Sequence, residues 1–283
     1  LFIYNIPTDS KTPFYLVQGD RFMKQLRCAA IQFNIALGNI DSNRKRAAAA
    51  LRRVAAAGVQ LAVLPEMWST GYDYRHLPTL AQRTPAIVKE LQQLCAELGL
   101  VSVGSLPELS EGKIYNTAYV IDQGEVVGSY RKLHLFSAMG EDRHLGSGSR
   151  SLVVSTSAGR IGVTICYDLR FPELFRKLAL EGAEVICVPA EWPKPRGEHW
   201  QTLLRARAIE NQLFVVAANC CRVQGKLDFC GISRIISPLG TILAEAEEED
   251  IELIADCDFA EMQTYRDQIK ILHDRRADIY GTP

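Results

Sequence analysis

The order strand–helix–strand–helix–strand–hairpin is spelled twice along this chain, and that repetition limits the folds open to it more than any single motif does. In the first half, "LRCAAIQF" (26–33), "QLAVLPE" (60–66) and "LVSVGSL" (100–106) are short apolar runs that read as strands. Between them lie two helices. "NRKRAAAALRRVAAAG" (43–58) is alanine-rich, with Asp41 or Ser42 as N-cap and Gly58 as stop. "PAIVKELQQLCAELG" (85–99) opens after Thr84 and ends at Gly99. "YNTAYVI" (115–121) and "EVVGSYRK" (125–132), joined by "DQG", read as the hairpin. The second half repeats the order with strands at 159–166, 184–190 and 213–221, helices at 172–182 and 198–212, and a hairpin over 231–246 that turns at "PLG". A further strand, "IELIADCD", follows at 251–258.

The repeat is one of architecture, not of residues. Helices placed between strands imply crossover connections and sheets buried on their helix side. Two such halves predict an α/β fold with two mixed sheets packed face to face and helices outside, a four-layer α-β-β-α sandwich. A single open doubly wound sheet is the other arrangement this order permits. No linker separates the halves, so residues 23–283 read as one domain. Residues 1–22 hold two prolines and no helical period and read as an N-terminal extension. The stretch 259–281 starts helical and ends polar, either as an arm for a second subunit or as a solvated tail.

The formal net charge is −1, so no bulk field favours nucleic acid or an anionic membrane. No apolar run approaches the roughly 20 residues of a spanning helix. Eight cysteines are scattered, several inside apolar runs, with no CxxC pair and no zinc spacing to the five histidines. Free thiols in a reducing cytoplasm, and no metal site, are the expectation.

Three polar residues close strands in places where α/β folds carry their chemistry. Glu66 ends "QLAVLPE", Lys132 ends "EVVGSYRK" and Cys166 ends "GRIGVTIC". A thiolate is a nucleophile, a partly buried glutamate can take the thiol proton and hand it to a leaving amine, and a lysine ammonium can hold an oxyanion. Together the three describe acyl transfer through a thioester. Taken singly each has a plain alternative: a core cysteine, a capping glutamate, a charged strand terminus.

In order and context the trio resembles the carbon–nitrogen hydrolase (nitrilase) superfamily. The resemblance rests on "LAVLPEMWSTGY" (61–72), "YRKLHLF" (130–136) and "GVTICYDLRFPELFR" (162–176), and with "HWQTLLRARAIENQLFVVAANCC" (199–221) it covers nearly all of 26–281. It implies the α-β-β-α sandwich, Glu66 as general base, Lys132 as oxyanion stabiliser and Cys166 as nucleophile. It further implies Glu141 as a second glutamate positioning lysine and substrate, the Tyr167 backbone N–H as a second oxyanion donor, no cofactor, and a homodimer or larger homo-oligomer. Asp168 and Arg170 are expected to lock the turn after Cys166.

Members of the superfamily cleave nitriles, amides and carbamoyl amines, and some feed glutamine nitrogen to synthetases. No phosphate-binding loop follows here, which leaves out the synthetase-linked kind. "WPKPRGEHWQTLLRARAIENQ" (192–212) resembles the omega-amidases, the bacterial type especially, and "DRRADIYG" (274–281) resembles the Nit-type amidases. The implied substrate is a small amide carrying a carboxylate, 2-oxoglutaramate or 2-oxosuccinamate. Trp192 and Arg196 would line the pocket, with Phe136 as an apolar wall. An N-carbamoyl amine, an aliphatic amide and deaminated glutathione are the other substrates this resemblance leaves open. Arg196 either pairs with a substrate carboxylate or is a surface charge. Arg205, Arg207 and Glu210 read as ion pairs that anchor their helix.

Overall fold

The computed structural model describes residues 25–281, so the extension read over 1–22 lies outside the described residues. The first half supplies strands β1 (Gln25–Gln32), β2 (Leu61–Val63), β3 (Val101–Ser110), β4 (Lys113–Asp122) and β5 (Glu125–Arg131). The second supplies β6 (Val153–Thr156), β7 (Gly159–Val163), β8 (Val185–Ala190), β9 (Phe214–Asn219), β10 (Cys221–Gln224), β11 (Leu227–Cys230), β12 (Arg234–Ile236) and β13 (Ile242–Glu245). The chain then returns to the first sheet with β14 (Ile251–Asp258).

The strands form two six-stranded sheets, β14-β1-β2-β3-β4-β5 and β13-β12-β9-β8-β7-β6, and a β10–β11 ribbon. Each sheet has three parallel strands, β1 to β3 and β7 to β9, flanked by antiparallel ones. The period of two along a strand sorts side chains between layers. Leu26, Cys28 and Ala30 of β1 belong to the core shared with the second sheet, whereas Ala29 and Ile31 face the helices. Helices Ile40–Ala56 and Thr84–Leu98 cover the first sheet through Leu51, Val54, Ile87 and Leu91. Helices Pro172–Leu180 and Gly197–Asn211 cover the second through Leu174, Leu178, Leu204 and Ala208. Each such aliphatic side chain contributes roughly 1.5–3 kcal/mol when taken from water. The result is the four-layer sandwich, not the single open sheet.

Local corrections follow from hydrogen bonding. The first helix starts at Ile40 rather than after Asp41 or Ser42, because the Asn39 side chain accepts the Ser42 N–H at 3.0 Å. The strands read as ending on Glu66 and Cys166 stop at Val63 and Val163, and the functional residues stand on the turns beyond. The run 213–221 is not one strand. It breaks at Cys220, where Asn219 turns its side chain to the Trp192 N–H (2.7 Å) and the Gly231 carbonyl (2.7 Å). Neither the β10–β11 ribbon nor the short edge strand β6 carries enough alternation to be legible.

The 259–281 stretch has a place in this same chain. Helix Phe259–Gln268 is N-capped by Asp258, buries Phe259 against Phe214 (ring centroids 5.7 Å apart), and sends Arg266 to the Gln212 carbonyl. In helix 198–212 the expected ion pair exists between Arg207 and Glu210 (2.9 Å), while Arg205 instead donates to the Gly240 carbonyl. No helix among the described residues is long and apolar enough to cross a membrane.

Candidate active site

Glu66 lies just past β2, fully buried, with both carboxylate oxygens hydrogen-bonded. Its Oε1 accepts from the Tyr72 hydroxyl (2.6 Å), Asn116 Nδ2 (2.7 Å) and Lys132 Nζ (2.8 Å), and its Oε2 accepts the Glu191 N–H (2.8 Å). The last of these comes from the other sheet, since Glu191 directly follows β8. Lys132 directly follows β5, tied by its N–H to the Asn116 carbonyl at 2.9 Å. Its Nζ bridges Glu66 and Glu141, 2.8 Å from each.

Burial alone would push the Lys132 ammonium towards its neutral form. The two carboxylates overcome that and hold its pKa well above the ordinary lysine value. Glu141 is anchored in turn by the Phe136 N–H, which donates to its Oε2 at 3.1 Å. Burial raises the Glu141 pKa against the opposing pull of Lys132.

Cys166 opens a 3₁₀ segment, Cys166–Arg170, with φ +46°. A side chain in that region costs about 1–3 kcal/mol, so the surroundings must impose it. Asp168 does so. Its Oδ2 accepts from the Ile165 N–H (2.9 Å) and the Tyr130 hydroxyl (2.7 Å), and its Oδ1 accepts the His134 N–H (3.1 Å). One buried carboxylate therefore ties the turn after β7 to the segment after β5, and fixes Cys166 relative to Lys132. Arg170 takes no part in this. Its Nη2 lies 3.2 Å from His199 Nδ1 and its guanidinium stacks 4.9 Å from the Trp192 ring.

The Glu66 carboxylate stands near enough to Cys166 for its charge to act on the thiol. Burial first, and the Glu66 charge second, push its thiol well above the ordinary range, with Lys132 opposing. The resting group is a thiol, so attack requires a base nearby, and Glu66 is the carboxylate whose charge acts most on it. All eight cysteines are free and buried, and Cys166 is distinguished by facing a cavity.

That cavity is a narrow, partly open pocket. Tyr72, Glu141 and Cys166 lie on its polar side. Phe136, packed 4.7 Å from the Tyr167 ring, and Trp192 form apolar wall. Arg170 and Arg196 both reach it, and Arg196 sits 5.1 Å over the Phe136 ring. Every side chain singled out in the sequence, Glu66, Lys132, Cys166, Glu141, Phe136, Trp192 and Arg196, thus meets at one place; Tyr167 lines it and supplies the N–H next to Cys166. Sequence reasoning passed over Tyr72, Asn116 and Glu191. The available signals were slight: an asparagine inside "YNTAYV" and an acid directly after the buried strand "EVICVPA".

Residues 27–267 match the carbon–nitrogen hydrolase family. The chain is 37% identical over 255 residues to the 2-oxoglutaramate amidase of Bacillus subtilis, covering 89% of this chain and 98% of that protein. It is 31% identical to the omega-amidase NIT2 of Homo sapiens, over 92% of this chain and 98% of that one. Among solved structures, an amidase of Nesterenkonia sp. AN1 with acrylamide added to its active-site cysteine superposes with a TM-score of 0.81 at 28% identity, covering 90% of this chain and 98% of that one.

Proposed function

The chain belongs to the carbon–nitrogen hydrolase family, and from that premise we propose an omega-amidase that frees ammonia from the distal amide of 2-oxoglutaramate or 2-oxosuccinamate. In this reading Glu66 takes the Cys166 proton as Sγ attacks the amide carbonyl. The oxyanion that forms is held by Lys132 Nζ and the Tyr167 N–H, with Glu141 fixing the lysine. Glu66 returns the proton to the amide nitrogen, the C–N bond breaks, and ammonia leaves a thioester on Cys166. Water, deprotonated by Glu66, then cleaves the thioester to the carboxylate and restores the thiol.

The observation that carries the substrate reading is the pair of guanidinium groups, Arg170 and Arg196, that line the pocket Cys166 faces. Two half-buried cations in one pocket with the nucleophile suit a substrate with an anionic far end. The relatives named for omega-amidase and 2-oxoglutaramate amidase activity support the same choice.

Ammonia release should be measured on 2-oxoglutaramate, 2-oxosuccinamate, glutamine, an N-carbamoyl amine, deaminated glutathione and a simple aliphatic amide. The 2-oxo amides should turn over fastest. Arg170→Met and Arg196→Met should each raise KM for them by roughly 10–100-fold, the worth of a charged hydrogen bond, and leave an uncharged amide almost unaffected. Faster turnover of the carbamoyl or aliphatic substrate would keep the chemistry and sink the substrate assignment.

Residues 23–283 act in this reading as one catalytic domain, in a reducing cytoplasm, as a homodimer or larger homo-oligomer. The free thiols throughout the described residues fit that compartment. Exposed Ile279 and Tyr280, 71% and 63% accessible on the last short helix, fit burial against a second copy. Sedimentation at micromolar concentration should show at least a dimer, and a monomer would overturn the assembly.

A further inference from the structure

We propose that the Glu191 side chain is a substrate-contacting group that accepts an N–H of the scissile carboxamide and of the ammonia leaving it, so that the site favours primary amides over esters of the same acid. This rests on the reading of Cys166 as the nucleophile of an amidase. Glu191 is 2% exposed and lines the cavity together with Cys166 and Glu141. Its own N–H donates to Glu66 Oε2, which seats it beside the base. Neither Glu191 carboxyl oxygen has a hydrogen-bond partner. Gln224, on the β10–β11 ribbon, stands close enough to bias its charge, yet the Gln224 Nε2 is also without a bonded partner. Buried polar atoms are nearly always bonded, so a carboxyl left open beside a nucleophile points to a partner that arrives with the substrate.

The inventory of the site indicates which partner. The Tyr72 O–H and an Asn116 N–H are spent on Glu66, and two of the three Lys132 N–H bonds on Glu66 and Glu141. Glu66 Oε1 already accepts three bonds, and Glu141 accepts from Lys132 and the Phe136 N–H. Among the residues lining the cavity, the buried side-chain oxygens without a partner are those of Glu191. A primary amide nitrogen brings two N–H bonds that need acceptors once water is excluded. When Sγ bonds to the carbonyl carbon and the C–N bond breaks, that nitrogen takes its third proton from Glu66, and its original N–H bonds still need an acceptor. The attacking water later offers an O–H to the same oxygen while Glu66 takes its other proton.

Burial, and then the charge on Glu66, hold the Glu191 carboxyl protonated well above the usual carboxylate range. That bias towards the neutral form favours a carbonyl acceptor over a second anion beside the base.

The test compares a carboxamide with the methyl ester of the same acid, on the full chain, for wild type, Glu191→Met, Glu191→Leu and Glu191→Gln. An ester leaves as an alcohol and has no N–H to place. Glu191→Met should lower kcat on the amide by roughly 10–100-fold and change kcat on the ester by less than about 3-fold. Glu191→Leu repeats the measurement should the methionine variant not fold. Glu191→Gln, which keeps a carbonyl, should retain amide kcat within about 5-fold. An equal fall on amide and ester, or an unchanged amide rate in the apolar variants, overturns the proposal. Cys166→Ala run alongside separates the two failures. Ammonia release that survives it sinks the nucleophile and this proposal with it. A Cys166-dependent amidase whose amide-to-ester ratio ignores residue 191 sinks this proposal alone.

Discussion

Cys166→Ala should cut ammonia release from the preferred amide by roughly 10⁵–10⁶-fold, the scale seen when a covalent nucleophile is removed. The size follows from the role. No other thiol faces the cavity, so without Cys166 there is no thioester and water must attack the amide directly. Folding should be nearly unaffected. The nearby Glu66 keeps its bonds to Tyr72, Asn116, Lys132 and the Glu191 N–H. Alanine meets the same φ of +46° that the cysteine already tolerates. A thermal melt within a few degrees of wild type, paired with the lost rate, is the expected result. A variant retaining more than about 1% of the rate would remove Cys166 from the reaction.

Lys132→Met should fail in both respects. Loss of one oxyanion donor typically costs about 10²–10³ in kcat. Here the lysine is also the counter-charge of Glu66 and Glu141, all three of them buried. Breaking such a cluster from one side costs about 3–5 kcal/mol, because two carboxylates are left facing each other. One of them will take up a proton, and when that one is Glu66 the base is lost too. The loss in kcat should therefore exceed about 10³-fold, with a clear fall in melting temperature. Lys132→Met combined with Glu141→Gln should recover stability but not rate. Recovery of both would leave Lys132 as a structural pin only. The folded lysine's pKa is raised above its unfolded value. Its stabilisation is thus at full strength below about pH 10 and declines only as the pH climbs through the folded value.

How far the sequence announced this arrangement depends on the kind of signal. Periodicity and turn residues are local, and they predicted the two layers of sheet and the long helices. Glu66, Lys132 and Cys166 were legible because each interrupts an apolar run at its end. The partners that make them a site were not. Tyr72 reaches Glu66 from six residues on, Asn116 from a neighbouring strand, and the Glu191 N–H from the opposite sheet. Such bonds are set by packing, which no period reports. Asp168 and Arg170 sit two residues apart and read as one lock. The structure divides them, with Asp168 inside the turn and Arg170 turned towards the cavity.

The pairing of β1 with β14 bears on how the chain is made. These strands zip together from Gln25 opposite Asp258 to Gln32 opposite Ile251, with Arg27 bonded to Asp256 across the pair. During synthesis β1 emerges among the earliest elements and β14 among the last. For most of translation β1 has β2 on one side and a bare hydrogen-bonding edge on the other, the kind of edge that recruits foreign strands. Glu66 waits in the same interval for the Glu191 N–H. The first sheet and the nucleophile's base are therefore both completed by residues that leave the ribosome late. Until β14 closes the edge, a nascent chain carries an unsealed first sheet, the kind of exposed edge that favours misassembly.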